Sequence, residues 1–153
     1  MRYWLMKSEP ETFGIDDLAK APRKRTGWDG VRNFQVRNML RDEMKKGDLA
    51  LFWHSSCEVP GAYGIVKIVK AGYADPSALD PRHRYHDPDS DPAEPRWYAV
   101  EVELVRRFEK PITLATLKAN AGKLGDMLVL RRGNRLSITR VTAEQWRRVL
   151  ALE

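Results

Sequence analysis

The segment that most constrains the fold is Leu49–His54, in which five consecutive apolar residues precede a histidine. A short apolar run that follows a turn signal, here Gly47-Asp48, is typical of a buried β-strand. Residues 97–106 instead alternate between polar and apolar side chains, as expected for a strand with one buried face. These two patterns predict a domain built on a β-sheet.

Shorter segments complete the predicted domain. Strand patterns occur at residues 3–7, 62–69 and 136–141. Helix starts are predicted at the capping residues Asn33, Thr113 and Thr142. Residues 21–29 and the Asp- and Pro-rich residues 75–95 are predicted to be loops. About five strands with short helices around them predict one α+β domain over residues 1–153, with the sheet curled into a barrel.

Length and composition limit the cellular setting. The longest apolar run is far shorter than the roughly 18 residues that a membrane span requires, and the N-terminal segment is too short for a signal-peptide core. Cys57 is the single cysteine, which excludes an intramolecular disulfide and a thiolate metal cluster. We therefore expect an intracellular protein, cytoplasmic or, in a eukaryote, nuclear, with a monomer as the default state.

Charge is unevenly distributed along the chain. The net charge is +6, from 27 basic and 21 acidic residues, yet residues 75–95 hold six acidic and two basic side chains. Residues 20–46 hold nine basic and three acidic side chains, and residues 131–148 hold six basic and one acidic. Two basic blocks and an acidic loop favour a positive face that meets phosphates, although an ordinary basic surface has the same pattern.

The segments with reactive side chains lack the patterns of catalytic or metal sites. His54 is followed by Ser55, Ser56 and Cys57, but neighbouring residues of a strand point to opposite faces, so base and nucleophile would not meet. Residues 83–91 are rich in histidine and aspartate, yet this calcium-like segment lacks the glycine and the closing glutamate of a calcium loop. We expect no catalytic residue, no metal and no cofactor.

Five tryptophans are many for a chain of this length, and three of them stand beside polar residues or glycine. Trp28 is flanked by Gly27 and Asp29, Trp53 precedes His54, and Trp97 follows an arginine. A nucleobase pocket needs an aromatic face for stacking, polar groups for the base edge and basic residues for the phosphates. The chain offers all three, although each tryptophan also fits a core position.

Several motifs, in order along nearly the whole chain, resemble the EVE domain family. They are YWLMKSEPE at residues 3–11, WDGVRN at 28–33, WHS at 53–55, PRWY at 95–98 and RRGNRLS at 131–137. The resemblance implies a PUA-like fold, a curled mixed β-barrel of about five or six strands with short flanking helices. It also implies a non-catalytic module that holds a flipped, modified base of DNA or RNA in an aromatic pocket. Two positions depart mildly: Trp53 replaces a frequent Phe or Tyr, and Phe34 replaces a frequent Tyr.

The resemblance assigns these roles to particular residues. The base pocket is expected to comprise Lys7, Ser8, Glu9, Trp28, Asp29, Trp53, His54, Ser55 and Trp97. The phosphate-binding residues are expected to be Arg32, Arg37, Arg131, Arg132 and Arg135, and the loop-ordering residues Asn33 and Asn134. In this scheme Trp28 and Trp97 stack on the base, Ser8 and Ser55 bond its edge, and Glu9 accepts from an exocyclic amine.

Two other functions remain compatible with the sequence. A nucleic-acid-processing enzyme would need His54 and a carboxylate such as Glu9 to meet near a nucleophile. A module for a small molecule or peptide would use the same pocket, but its binding would depend little on salt, which the basic blocks argue against. The expected partner is a nucleic acid that carries a modified base, and no membrane contact is expected.

Overall fold

A six-stranded mixed sheet forms the centre of the computed structural model, which describes residues 1–153. Its strands are β1 (Tyr3–Ser8), β2 (Arg25–Trp28), β3 (Leu49–His54), β4 (Gly61–Ala74), β5 (Tyr98–Thr113) and β6 (Ile138–Val141). Their order across the sheet is β2-β5-β4-β3-β1-β6. Strands β1 and β3 are parallel, and all other neighbours are antiparallel. The predicted mixed sheet is confirmed, but β2 and β6 remain its two edges, so it is not closed into a barrel.

Short helices flank the sheet. They are α1 (Ile15–Lys20), α2 (Phe34–Asn38), α3 (Pro76–Leu79), α4 (Leu114–Ala119), α5 (Ala121–Leu124) and α6 (Ala143–Leu150). A π-helical turn, Met39–Glu43, continues α2, and 3-10 turns cover Pro22–Lys24 and Leu128–Leu130. The predicted caps Asn33, Thr113 and Thr142 each accept a backbone N–H of the first helical turn. No helix combines the length and apolar character needed to cross a membrane.

Two segments predicted to be loops contain regular structure, so the prediction is wrong for those residues. Strand β2 pairs with β5, where Trp28 lies opposite Val100. A four-residue edge strand that contains Gly27 has too few alternating side chains to show a strand pattern. Helix α3 is one turn, which Asp75 caps and Pro76 begins, as suits the first helical position.

Alternate side chains of the central strands enter two hydrophobic layers, one on each face of the sheet. Phe52 belongs to the layer that also contains Trp4, Trp28 and side chains of α1 and α2. Leu51 and Trp53 belong to the other layer, with side chains of α4, α5 and α6. Neighbouring side chains of β3 point to opposite faces of the sheet. Trp53 therefore lies on one face and Trp28, which is in the same layer as Phe52, lies on the other, although the sequence places both tryptophans beside polar residues.

Candidate functional site

A cavity of about 1010 Å³ opens between the end of β1, the segment after β2 and the loop before β5. Most of its lining is polar. The residues that line it are Lys7, Ser8, Glu9, Thr12, Phe13, Thr26, Gly27, Trp28, Asp29, Gly30, Val31, Arg32, Asn33, His83, Arg84, Tyr85 and Ser137. Five of the nine residues that the sequence predicts for a base pocket line it, namely Lys7, Ser8, Glu9, Trp28 and Asp29, and we call it the base cavity after that prediction.

The end of β1 positions one wall of the base cavity. The backbone N–H of Lys7 donates to Ser137 O at 2.8 Å, and Ser55 N donates to Ser8 O at 3.0 Å. The Ser8 hydroxyl donates to Phe13 O at 2.6 Å, which closes the turn between β1 and α1. Ser8 therefore shapes the wall with its hydroxyl proton, and only its oxygen lone pairs remain for a ligand.

Lys7 contributes a half-buried ammonium to this wall. Burial lowers its pKa from the ordinary value of 10.5, and no neighbouring carboxylate opposes that shift. An ammonium has three donors and no acceptor, and a partly desolvated one is stabilised when a ligand supplies oxygen or nitrogen lone pairs. The wall thus presents an unpaired donor.

Asp29 contributes an acceptor to the same cavity. The residue is exposed to solvent, yet it lines the cavity, where the surrounding protein partly desolvates its carboxylate. This partial burial raises its pKa above the ordinary 3.8, and the negative charge of Asp75 adds to the rise. Lys7 and Asp29 therefore offer hydrogen-bonding groups of opposite character to a ligand with both acceptors and donors.

Asp75 is a buried carboxylate that holds the segment after β2 in place. It is 1% exposed, and it accepts from Gly30 N at 2.9 Å, Ser77 N at 2.8 Å and Ser77 Oγ at 2.6 Å. Arg32 Nη1 donates to the same carboxylate at 3.1 Å. Burial by itself raises the pKa of Asp75, but the bonds from Ser77, Gly30 and Arg32 outweigh it and leave the pKa below its ordinary value.

The Arg32 guanidinium is occupied within the protein. Besides Asp75, it donates to Val31 O at 2.8 Å, to Ser77 Oγ at 3.3 Å and to Tyr85 O. These bonds join the segment after β2 to the loop before β5. Arg32 thus lines the base cavity, and both of its terminal nitrogens donate within the protein, whereas the sequence predicts a phosphate contact for it.

Gly30 and Tyr85 meet at the outer wall of the base cavity. Gly30 has φ +77°, and a Cβ at this position would lie 2.8 Å from Tyr85 Cδ2. The ring of Tyr85 therefore packs directly on the Gly30 backbone. The sequence does not point to Tyr85, because the acidic loop around it has no periodicity; Gly30, two residues after Trp28, is the residue that could have indicated this close approach.

Trp28 is the one tryptophan that lines the base cavity. It is 8% exposed and packs edge-to-face on Phe52, with ring centroids 5.5 Å apart. Most of the indole is therefore committed to the core, and a small part of it reaches the cavity.

Three other predicted pocket residues lie at the end of β3 and do not line the base cavity. Trp53 is 2% exposed and belongs to the layer on the other face of the sheet. His54 stacks on Tyr63 with centroids 3.9 Å apart, and its Nε2 accepts from Ile15 N at 3.1 Å. Ser55 contributes its backbone N–H to β1. This strand end supports the wall of the cavity from behind.

Trp97, the ninth predicted pocket residue, also lies outside the lining of the base cavity. It is 7% exposed and stacks on Phe34 with centroids 4.7 Å apart. Its Nε1 donates to Asp87 Oδ2 at 2.6 Å. Arg37, a predicted phosphate-binding residue, lies over the ring of Phe34, with Cζ 4.9 Å from the ring centroid. It donates to Arg96 O at 2.8 Å.

A second, smaller cavity of about 490 Å³ adjoins the first and shares Asn33 with it. Its basic lining residues are Arg131, Arg132, Arg135 and Arg140. Asn33 caps α2 by accepting from Val36 N at 3.0 Å. Asn134 donates to Leu128 O and accepts from Leu136 N, both at 2.9 Å, and so fixes the loop that carries the arginines.

Comparison with known sequences places this geometry in a family context. The EVE domain profile matches residues 2–152. The chain is 43% identical to thymocyte nuclear protein 1 of Danio rerio, over 98% of this chain and 71% of that protein. It is 42% identical to thymocyte nuclear protein 1 of Homo sapiens, over 99% of this chain and 73% of that protein.

Solved structures share the whole fold. A Pseudomonas putida protein superposes with a TM-score of 0.92 at 45% identity, covering 98% of each chain. The human THYN1 protein in complex with DNA that contains 5-methylcytosine superposes with a TM-score of 0.91 at 41% identity, covering 99% of this chain and 97% of that one.

Proposed function

Because the chain belongs to the EVE domain family, we propose that it reads a modified base of a nucleic acid and that it does so without catalysis. The human THYN1 structure contains DNA with 5-methylcytosine, so this base is the first candidate ligand. The observation that carries the proposal is the half-buried Lys7 ammonium, which has no ion-pair partner and lines the same cavity as Asp29.

The chemistry of the base cavity complements the edge of a cytosine. Cytosine presents acceptors at O2 and N3 and a donor at its exocyclic amine. Lys7 only donates, whereas ionised Asp29 and Glu9 only accept. Trp28 and Tyr85 add aromatic surface to the lining, and stacking on an aromatic side chain contributes about 1–3 kcal/mol per base. A methyl group buried in the cavity adds about 0.8 kcal/mol.

A base that lies inside the base cavity has left its stack. Unstacking and unpairing cost a few kcal/mol, and the cost is smallest for a single strand. We therefore expect the protein to bind single strands that carry the modified base more tightly than the same base in a duplex. We also propose a monomer as the binding form and an intracellular location.

The arrangement of His54 supports a reader rather than an enzyme. An enzyme that uses the pair suggested by the sequence would need His54 and Glu9 in one cavity. Glu9 lines the base cavity, but His54 does not, and its Nε2 already accepts from the backbone of Ile15. A general base has to reach the proton that it removes, and this pair is not assembled.

A pair of charge-matched variants tests the proposal. Lys7→Met removes the cavity ammonium, and Lys123→Met removes an ammonium from the exposed surface of α5. Binding of a short single strand with one 5-methylcytosine is followed by tryptophan fluorescence at fixed salt. Since hydrogen bonds to charged groups contribute about 1.5–3 kcal/mol, we expect Lys7→Met to weaken binding at least tenfold and Lys123→Met to leave it nearly unchanged.

Equal weakening by both variants would contradict the proposal, because Lys7 would then act only as one of many surface charges. Unchanged near- and far-UV circular dichroism of Lys7→Met serves as the check that the wall is still folded.

A further inference from the structure

The charged residues that line the second cavity are all arginines. We call it the arginine groove, after Arg131, Arg132, Arg135 and Arg140, and no carboxylate stands among the residues that line it. Arg131 is paired with Asp126, and Arg140 is paired with Glu43. These two arginines therefore have internal partners that fix their positions.

Arg132 and Arg135 differ from the other two arginines. Both are exposed, and neither makes an ion pair or a side-chain hydrogen bond. A free guanidinium has a planar array of donors that matches the oxygens of a phosphate. The bonds of Asn134 hold the loop between them in place, so the two free groups are presented together.

The arginine groove is continuous with the base cavity. Asn33 lines both, and Leu136 of the groove directly precedes Ser137 of the base cavity. A strand whose base occupies the base cavity can thus lead its backbone past Asn33 into the groove.

The loop before β5 lines the other side of the base cavity with His83, Arg84 and Tyr85. The Arg84 guanidinium donates to Tyr85 Oη at 2.6 Å. Asp89, Asp91 and Glu94 of this loop are exposed. None of its residues lines the arginine groove. The exposed carboxylates of the loop lie outside the cavity lining, and the two arginines without a side-chain hydrogen bond or ion pair lie on the side of the groove, where they can attract a phosphodiester chain.

We propose that the arginine groove binds the backbone of a single strand on one side only of the base that the base cavity holds. This inference rests on the proposed function and adds a direction to it. The strand leaves the cavity past Asn33 toward Arg132 and Arg135, and its other side stays free of specific contact with the acidic loop.

Two single-stranded DNA nonamers of equal composition test this. One carries 5-methylcytosine at its 5′ end and the other at its 3′ end, so that only one of them can extend into the arginine groove. We expect their affinities to differ roughly tenfold in the wild-type protein, as charge-assisted phosphate contacts of this kind allow. In Arg132→Gln/Arg135→Gln the two affinities become equal.

The salt dependence provides a second readout. For the favoured strand, loss of two phosphate contacts in Arg132→Gln/Arg135→Gln is expected to make the plot of log K against log salt less steep by about 1.4. The control Lys118→Gln/Lys123→Gln removes two exposed charges from α4 and α5, outside both cavities. In this control variant, the difference in affinity between the two nonamers is expected to remain.

Equal affinities for the two nonamers in the wild-type protein would overturn the one-sided groove, and so would a difference that survives in Arg132→Gln/Arg135→Gln. Both results leave the proposed function intact as long as methylated strands still bind more tightly than unmethylated ones. Loss of that preference, with the end-dependent difference retained, would instead contradict the proposed function and leave the groove as a strand-binding surface.

Discussion

The indole Nε1 of Trp97 donates to the Asp87 carboxylate at 2.6 Å, across ten residues of the acidic loop. This bond, ahead of the one from Asp89 N, holds the pKa of Asp87 below its ordinary value. Tyr85, two residues earlier, packs on Gly30 at the wall of the base cavity. Trp97 therefore anchors the loop that forms the cavity wall, and its aromatic face packs on Phe34 rather than on a ligand.

Asp87→Ala removes the partner of the Trp97 indole. The buried N–H then lacks a protein acceptor, and we expect the free energy of unfolding to fall by about 1–2 kcal/mol in urea titrations. Glu94→Ala in the same loop removes an exposed carboxylate and is expected to change stability by less than about 0.5 kcal/mol. Similar losses in both variants would show that Trp97 is held by its ring packing alone.

Asp75→Ala removes the buried anchor of the segment after β2. It leaves Arg32 without its ion-pair partner and Gly30 N without its acceptor, so we expect a loss of roughly 3 kcal/mol. Asp42→Ala breaks the exposed pair with Arg41, which is expected to contribute at most about 1 kcal/mol. Thermal and urea unfolding of the two variants measure this contrast, and equal stabilities would contradict the anchoring role.

Gly30→Ala places a methyl against the ring of Tyr85 and an L side chain at φ +77°. The backbone conformation alone costs about 1–2 kcal/mol, and displacement of Tyr85 adds to this and opens the cavity wall. Gly122→Ala on α5 meets no atom within 4 Å and is expected to stabilise the helix by about 0.5–1 kcal/mol. Unfolding curves with opposite shifts for the two variants are the expected outcome, and a neutral Gly30→Ala would refute the contact.

His54 makes stability depend on pH. Burial lowers its pKa from 6.5, against the opposing charges of Asp16 and Asp17, and the bond from Ile15 N requires an unprotonated Nε2. Below pH 6.5 the unfolded chain therefore binds more protons at this residue than the folded chain does. The free energy of unfolding contributed by His54 is retained above pH 6.5 and falls as the pH drops toward the folded pKa.

His54→Gln keeps an acceptor for Ile15 N but does not titrate. Urea unfolding between pH 7.5 and pH 5.5 should show a flatter dependence of stability on pH in this variant than in the wild-type protein. Identical slopes would show that His54 is protonated equally in the folded and unfolded chains.

Local patterns predicted five of the six strands because each of those five carries its own signature. The apolar run of Leu49–His54 and the capping residues Asn33, Thr113 and Thr142 needed no distant partner to be recognised. Strand β2 was not predicted, because it is only four residues long and its extended conformation depends on pairing with β5. Closure of the sheet depends on pairing between distant edge strands, which no local pattern reports.

The cavity was only partly predictable for the same reason. The motif around Lys7 and the one around Trp28 both line the base cavity, and their contact with a base stays a prediction. The face that Trp53 occupies was not readable, because every residue of its strand before His54 is apolar and both faces of the sheet are buried. The link between Arg32 and Asp75 joins residues 43 positions apart, and only the folded chain shows that this arginine is occupied.

The most direct test of the account compares dissociation constants for two single strands that differ only in the 5-methyl group of one cytosine, at one salt concentration. Burial of that methyl in the base cavity is expected to contribute about 0.8 kcal/mol, which corresponds to about fourfold tighter binding of the methylated strand. In Lys7→Met, in which the base no longer occupies the cavity, the two dissociation constants are expected to become equal. Equal dissociation constants for both strands in the wild-type protein would contradict the account and leave a basic surface that binds nucleic acid without reading 5-methylcytosine.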